Sequence, residues 1–340
     1  MSKRRLTQQQ RTRISRNQAQ RQKKLNANNV QERSSEDLGP EQTGIIICHY
    51  GQQLELESTD PSSLGKIYRC FQRTNLPALA TGDRVIWQAD GEDSGVVVAL
   101  QERTSLMARP NQQGVLRPVA ANISVVAIVI APLPEPFPNL VDRYLVMAES
   151  LSLKPLIILN KVDILDAERD VGIEKMLSIY QDVGYPVLRL SSKKDLGTDA
   201  LKDFLAQQTV VFVGQSGVGK SSLINTLRGE LEDEQDAAVG AMSAARDKGT
   251  HTTTAARLYH LPGSGDLVDS PGIREFGLWH MDEEMVFDGY REFAPYKGLC
   301  RFRDCSHRQE PGCAILQAEQ EGKIHPERLA SYFFLLNSLD

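Results

Sequence analysis

Between residues 44 and 117 short apolar runs alternate with polar positions and turn residues. The runs cover 44–48, 54–57, 66–73, 83–88 and 95–100, and Tyr50-Gly51, Asp60-Pro61, Thr81-Gly82 and Asp90-Gly91 separate them. Five short strands at this spacing predict a small barrel. An OB-type (oligonucleotide/oligosaccharide-binding) barrel fits, and an SH3-like barrel fits almost as well. From about Asn122 the pattern changes. Residues 124–130 and 156–159 are continuous apolar runs, as strands covered on both faces require. Between them, apolar residues at 140, 141, 144, 145, 148 and 151 follow helical spacing. Further strands are predicted at 187–190, 210–213, 257–261 and 266–269, and helices at 173–183, 198–207 and 220–228. Repeated βα units imply a parallel sheet with helices on both faces, and ligands bind such sheets at the carboxyl ends of the strands. Beyond about Met285 a Cys/His cluster precedes an amphipathic segment at 326–339, where Leu329, Tyr332, Phe333 and Leu336 form a helical stripe. No internal repeat interrupts this order.

Length and composition narrow the picture. A chain of 340 residues, 41% hydrophobic and 24% charged, suits two or three domains with real cores. The longest apolar stretch, 123–133, is about half of the roughly 20 residues that a membrane helix needs. The polar N-terminus shows no secretory segment, so a cytoplasmic protein without a membrane partner is expected. Five cysteines in such a chain do not make a disulfide scaffold. Cys48 and Cys70 fall in predicted barrel strands and are expected to pack as core residues. Charge is unevenly spread. Residues 1–33 hold ten Lys or Arg and one acid, a charge of +9 in a chain whose net charge is −5. The other 307 residues therefore carry −14. The Gln- and Asn-rich first segment is expected to be a flexible basic tail over 1–43. Such a tail on an acidic body points to a polyanion, RNA or DNA before membrane.

The strongest motif is GQSGVGKS at 214–221, after an apolar run and before a helical one. Gly214, Gly217 and Gly219 let backbone N–H groups curl around phosphate oxygens, and Gln215, Ser216, Val218 and Ser222 complete the candidate loop. Lys220 is placed to reach the β- and γ-phosphates, and the Ser221 hydroxyl to bind Mg²⁺. NKVD at 160–163 closes a predicted strand. The Asp163 carboxylate suits the ring N–H and amino group of guanine, a donor pair that adenine lacks. Asn160 would tie the base loop to the phosphate loop, and the Lys161 stem would lie over the base. Ser191, Ser192 and Lys193 follow another strand, and a backbone N–H there suits the guanine carbonyl. DSPG at 269–272 offers Asp269 to Mg²⁺ through water and the Gly272 N–H to the γ-phosphate. GTHTTT at 249–254 supplies threonines for a switch segment. Ile273 stands where a water-orienting Gln is common, and His251 is the candidate to take over that task.

These are the guanine-nucleotide motifs in an unusual order. The base-binding pair, at 160 and 191, precedes the phosphate and switch motifs at 214, 249 and 269. That order predicts a circularly permuted GTPase whose second switch leads directly into the C-terminal region. There, Cys300, Cys305, His307 and Cys313 supply three thiolates and one imidazole, a closed tetrahedral set for structural Zn²⁺.

With these residues in view, the sequence resembles the bacterial small ribosomal subunit biogenesis GTPases, the RsgA or YjeQ family, over about 44–340. The resemblance implies guanine contacts from Asn160, Lys161 and Asp163, phosphate and Mg²⁺ contacts from Gly219, Lys220 and Ser221, and zinc on the four Cys/His positions. In the His-Thr-Thr-Thr run it places the Mg²⁺ threonine on Thr253, with Thr252 as second choice. Ser192 departs from the small Ala or Gly usual in the base loop, which matters little for a backbone contact. The resemblance further implies an OB barrel that binds RNA, docking on the 30S subunit and its 16S rRNA, GTP hydrolysis to GDP stimulated there, and a role in late subunit maturation.

The expected architecture is multidomain. A tail over 1–43 precedes an OB-type barrel over 44–117, a circularly permuted P-loop GTPase of α/β class over 118–284, and a mainly helical zinc-binding module over 285–340. One structural Zn²⁺, Mg²⁺ with GTP, and a monomeric chain complete the expectation. The rival from another class is a nucleic-acid-binding module whose GTP site only senses nucleotide, motivated by Ile273. An enzyme acting on a small molecule finds no second catalytic constellation in the chain.

Overall fold

The computed structural model describes residues 38–51, 53–111, 114–229, 256–263, 265–269 and 281–339. Most of the expected tail, together with His251, Thr252, Thr253, Gly272 and Ile273, lies outside the described residues. The described chain divides into two compact units, the first holding 38–46, 50–79 and 84–101, the second 47–49, 80–83 and everything from 102 onward.

The first unit is built on β1 (Glu41–His49), β2 (Leu54–Ser58), β3 (Ile67–Gln72), β4 (Arg84–Ala89) and β5 (Ser94–Leu100). Their order is β1-β2-β3-β5-β4, and β4 pairs back onto β1 from Glu41↔Gln88 to Ile45↔Arg84. β3 and β5 run parallel. A five-stranded barrel closed through β1–β4, with β5 between β3 and β4, is the OB arrangement, so the SH3-like alternative falls. Side chains alternate as the pleat demands: Leu54, Leu56 and Ser58 of β2 point inward while Glu55 and Glu57 are half-exposed. Trp87 fills the centre, with its ring centroid 4.3 Å from that of Tyr68. Cys70 is fully buried, and burial pushes its thiol up to about 12, as expected of a packed core residue.

The second unit carries a six-stranded sheet of order β10-β9-β8-β11-β13-β12. Its strands are β8 (Val125–Ile130), β9 (Lys154–Leu159), β10 (Val187–Arg189), β11 (Thr209–Val213), β12 (Arg257–Leu261) and β13 (Gly265–Asp269). All neighbours are parallel except β12 and β13. All six residues of β8 are buried, which explains its unbroken apolar run. Helices α1 (Pro138–Ser150), α2 (Val171–Asp182), α3 (Thr198–Leu205) and α4 (Lys220–Arg228) connect the strands. Parallel pairing brings the ends of β9, β10, β11 and β13 to one edge of the sheet. The motifs that are reordered in sequence leave from that single edge.

Two strands, β6 (Leu106–Pro110) and β7 (Leu116–Ala121), pair with each other as a separate ribbon, and a bridge from Ala120 to Thr81 ties its base down. The hydrophobic pattern did not predict them, because Pro110 and Pro118 interrupt the alternation.

The C-terminal part holds α5 (Glu283–Asp288), a 3₁₀ turn at Arg291–Tyr296, α6 (Ala314–Gln320) and α7 (Pro326–Leu336). Phe287, Tyr290, Phe293, Ile315, Tyr332 and Leu335 form its core, which also takes in Val146 of α1. The apolar stripe of α7 is core, as its spacing implied. Its polar partner had no signal: Arg328 is 2% exposed. Its Nε donates to Glu292 Oε1 at 2.6 Å, and its Nη1 donates to Asp142 of α1. The Tyr180 hydroxyl donates to the same Asp142 oxygen at 2.8 Å. One buried guanidinium thus joins the sheet's first helix to the C-terminal module. Among the described residues no helix is long and apolar enough to cross a membrane.

Candidate functional site

A cavity of about 440 Å³ opens where the strand-end loops meet. Asn160, Lys161, Asp163 and Ile164 line it after β9, Ser191, Ser192 and Lys193 after β10, and Gly219 and Ser222 at the start of α4. Asn160, fully buried, holds these loops together. Its Nδ2 donates to the Val218 carbonyl at 3.0 Å, and its Oδ1 accepts from the Ser192 amide at 3.3 Å. One side chain therefore fixes three loops, and a buried amide paired at both ends leaves orphaned partners if removed. Lys161 adopts φ 62°, and its Nζ donates to the carbonyls of Gly217 at 2.6 Å and Leu133 at 2.9 Å.

Asp163 is exposed, and its Oδ1 accepts from the Ser191 hydroxyl at 2.5 Å. That bond holds its carboxyl below the usual carboxylate range, so it is an anion at neutral pH with acceptor capacity to spare. The Ser191 side chain thus holds Asp163, which the base-loop motif alone did not reveal. Ile164 was also missed; its place directly after NKVD is the only signal it carries. Leu133 contributes a backbone carbonyl, for which sequence holds no signal.

The phosphate loop follows β11. Gly214 has φ 133°, and a Cβ there would lie 2.2 Å from the Val129 carbonyl oxygen. Gly219 has φ 94°, and a Cβ there would meet Asn160 Nδ2 at 2.4 Å. Only glycine meets both demands. α4 begins at Lys220 with no side-chain cap, so its first N–H groups and positive dipole end are left for an anion. Ser216, Gly217, Ser221 and Ser222 are exposed, while Lys220 is 7% exposed. The Lys220 Nζ donates to the carbonyls of Gly214 at 2.6 Å and Gln215 at 2.5 Å, within the loop it would serve. Asp269 ends β13, the parallel neighbour of β11, and is half-buried. The structure brings all of these to one sheet edge; Thr253, His251 and Gly272 lie outside the described residues.

In the C-terminal module the ligand atoms of Cys300, Cys305, His307 and Cys313 all lie within 4.8 Å of one another. His307 Nδ1 is 3.5 Å from Cys300 Sγ and 3.4 Å from Cys313 Sγ. Burial lowers the His307 pKa, keeping the imidazole neutral as metal ligation requires. The Ala314 amide donates to Cys300 Sγ at 3.4 Å, a bond that supports a thiolate. Three sulfurs and one nitrogen at this separation are a donor set that fits a tetrahedral zinc ion.

Comparison with known proteins decides the family. The model of the RsgA GTPase family matches residues 100–279. The small ribosomal subunit biogenesis GTPase RsgA of Pseudomonas putida strain F1 is 49% identical over 342 residues, covering 100% of this chain and 98% of that protein. The chain belongs to the RsgA GTPase family. Its RsgA relative from Hahella chejuensis is 50% identical over 343 residues, covering 100% of this chain and 97% of that protein. Among solved structures, YjeQ from Thermotoga maritima is similar with a TM-score of 0.71 at 27% identity, over 88% of this chain and 99% of that one. YloQ, described as a circularly permuted GTPase, is similar with a TM-score of 0.67 at 26% identity, over 90% and 97%. As an RsgA GTPase the chain is a GTP-hydrolysing enzyme with an OB-like barrel, a permuted GTPase fold and a Cys/His cluster able to hold zinc.

Proposed function

We propose that this RsgA GTPase acts in late maturation of the 30S ribosomal subunit as a cytoplasmic monomer. It binds 16S rRNA and hydrolyses GTP to GDP and phosphate, and the subunit stimulates hydrolysis. The names of its relatives support the subunit as partner. The observation that carries the nucleotide chemistry is the single cavity lined by both base-loop motifs and the start of α4.

In this reading guanine enters that cavity. The Asp163 carboxylate accepts from the ring N–H and the exocyclic amino group, the backbone at 191–193 meets the carbonyl, and the Lys161 stem covers the ring. The loop from Gly214 to Ser222 wraps the phosphates, and Lys220 leaves the Gly214 and Gln215 carbonyls for the β- and γ-phosphates. Ser221, Thr253 and Asp269 would hold Mg²⁺; the exposed Ser221 hydroxyl at the first turn of α4 and the carboxylate at the end of β13 are hard oxygen donors that fit it. When bound, the ion neutralises phosphate charge. Water attacks the γ-phosphorus: the new O–P bond forms as the bond to the β–γ bridging oxygen breaks, the water's proton passes to solvent, and GDP leaves. Lys220 stabilises the charge that develops on the phosphate oxygens. The Gly272 N–H meets the γ-phosphate, and His251 positions the water that Ile273 cannot. One structural zinc on Cys300, Cys305, His307 and Cys313 completes the chain.

Turnover of GTP measured with and without 30S subunits, mature and immature, tests this reading. Stimulation by 30S but not 50S subunits is expected, and an unchanged rate would sink the assembly-factor role. Ile273 favours one alternative, a nucleotide sensor without meaningful turnover. Subunit-stimulated phosphate release that is lost in a His251→Ala variant contradicts that alternative.

Zinc removal is expected to loosen the C-terminal module selectively. Structural zinc contributes on the order of 10 kcal/mol to the folding of small modules. A chelator should expose residues 298–321 to limited proteolysis and release one zinc per chain, while leaving the barrel protected. Full protection after complete metal loss would contradict a structural zinc.

A further inference from the structure

The loop that carries the zinc-binding positions meets solvent, whereas the other two cysteines do not. Cys48 and Cys70 are 2% and 0% exposed. Cys300 and Cys305 are half-buried, and residues 301–304, 308–309 and 311–312 around them are exposed. Two of the loop's sulfurs are held face to face. Cys300 Sγ lies 3.9 Å from Cys313 Sγ. The Arg301 N–H donates to the Gly312 carbonyl at 3.0 Å, which ties the backbone at 300–301 to the backbone at 312–313. A disulfide needs Cα atoms about 4.4–6.8 Å apart and sulfurs about 2.05 Å apart. Residues beside a shared backbone hydrogen bond fall near that range. Closing the sulfur gap therefore takes side-chain rotation more than backbone movement.

The two sulfurs differ in what can reach them. Cys300 is open to solvent in part, while Cys313 is 3% exposed and lies behind it. As zinc ligands both are thiolates, the form of cysteine that attacks oxidants. Arg301, Arg303 and Arg308 of the same loop are exposed. The Glu310 carboxylate is turned onto the amides of Ser306, Arg308 and Gln309, which leaves Asp304 as the loop's exposed acid. A rim with more cations than free carboxylates draws anionic reagents such as hypochlorite.

We propose that Cys300 and Cys313 form a reversible oxidation site for a hypohalous acid, which turns the metal-holding loop into a disulfide-closed, metal-free one. The Cys300 thiolate attacks the chlorine of hypochlorous acid. An S–Cl bond forms, the O–Cl bond breaks, and hydroxide leaves and takes a proton from solvent. The Cys313 thiolate then attacks the Cys300 sulfur. The S–S bond forms, the S–Cl bond breaks and chloride leaves. The two thiolates give up two electrons in all, and chlorine takes both. Cys305 and His307 remain, half of a tetrahedral set, and can no longer hold zinc. The His307 ring, with its centroid 5.3 Å from that of Phe287 in the C-terminal core, loses its tether. The new bond meanwhile keeps the base of the loop closed. This site rests on the structural zinc proposed for the same four residues.

The test treats the full chain, purified under reducing conditions and then freed of reductant, with a small excess of hypochlorous acid at neutral pH. A metallochromic indicator should report the release of one zinc per chain. Mass spectrometry should find a peptide cross-linked through Cys300 and Cys313, with Cys48 and Cys70 still open to alkylation after denaturation. Trypsin should then cut after Arg303 and Arg308. The two fragments should part only on reduction, because the new bond spans the cuts. A dithiol reductant with added zinc should restore resistance to trypsin, and a Cys70→Ala variant should respond as wild type does. Zinc retained under the oxidant overturns the proposal. So does zinc release with the sulfur bond made through Cys305, Cys48, Cys70 or a second chain. A chain that holds no zinc before oxidation would instead overturn the structural zinc itself.

Discussion

Replacing Lys220 with alanine is expected to lower the GTP hydrolysis rate about 100- to 1000-fold, the usual cost of removing one preorganised charge donor from a transition state. The reason lies in its position. The side chain is buried in the phosphate loop, where its ammonium already donates to the Gly214 and Gln215 carbonyls. Those bonds keep the charge at the site when no phosphate is present, so little reorganisation is needed when nucleotide enters. Without the lysine the loop retains its glycines and the uncapped start of α4, which still favour an anion. Binding should therefore suffer less than turnover. Single-turnover phosphate release, measured with saturating nucleotide, separates the two. A rate within threefold of wild type would show that Lys220 is not part of the chemistry.

The second large effect is on stability. Arg328→Met is expected to cost about 3–5 kcal/mol in urea unfolding of the second unit, the range for breaking a buried charge pair. The guanidinium sits between Asp142 and Glu292, with all three side chains nearly inaccessible. Removing it leaves two carboxylates buried together. Burial already pushes the Asp142 carboxyl above the usual range, with Arg328 opposing the shift. In the variant that opposition is gone, so the folded-state pKa rises further. A raised folded pKa favours the folded state at low pH and is lost as pH climbs through it. The penalty should therefore be largest at neutral pH and shrink as pH falls toward 5. A pH-independent loss would mean that packing against Tyr290, whose ring centroid is 4.4 Å from the guanidinium carbon, matters more than charge.

These two residues mark the limits of sequence reading. Lys220 was legible because phosphate binding demands glycines, a lysine and a hydroxyl at fixed spacing, and the strand before the loop ends in an unbroken apolar run over 210–213. The reordered motifs converge because β9, β10 and β11 belong to one parallel run of strands. Arg328 was not legible. It lies on an amphipathic helix where a lone arginine normally faces water, and its partners are 36 and 186 residues away. The same holds for the ribbon, whose prolines hid its strands. The hydroxyl of Ser191 falls between these cases. Its motif was visible, but its bond to Asp163 depends on how two loops meet.

If the reordered loops form one guanine-specific site, Asp163 is the residue that reads the base. An Asp163→Asn variant tests it most directly, because an amide presents a donor where the carboxylate presents an acceptor. Xanthine carries a carbonyl in place of guanine's amino group, so the variant should lose affinity for GTP and gain it for xanthosine triphosphate. Each change should be at least about fivefold, since a mismatched polar pair closed off from water costs about 1–3 kcal/mol. Measuring both affinities for both proteins gives the answer: a crossed preference is predicted, and unchanged GTP affinity in the variant would contradict the account.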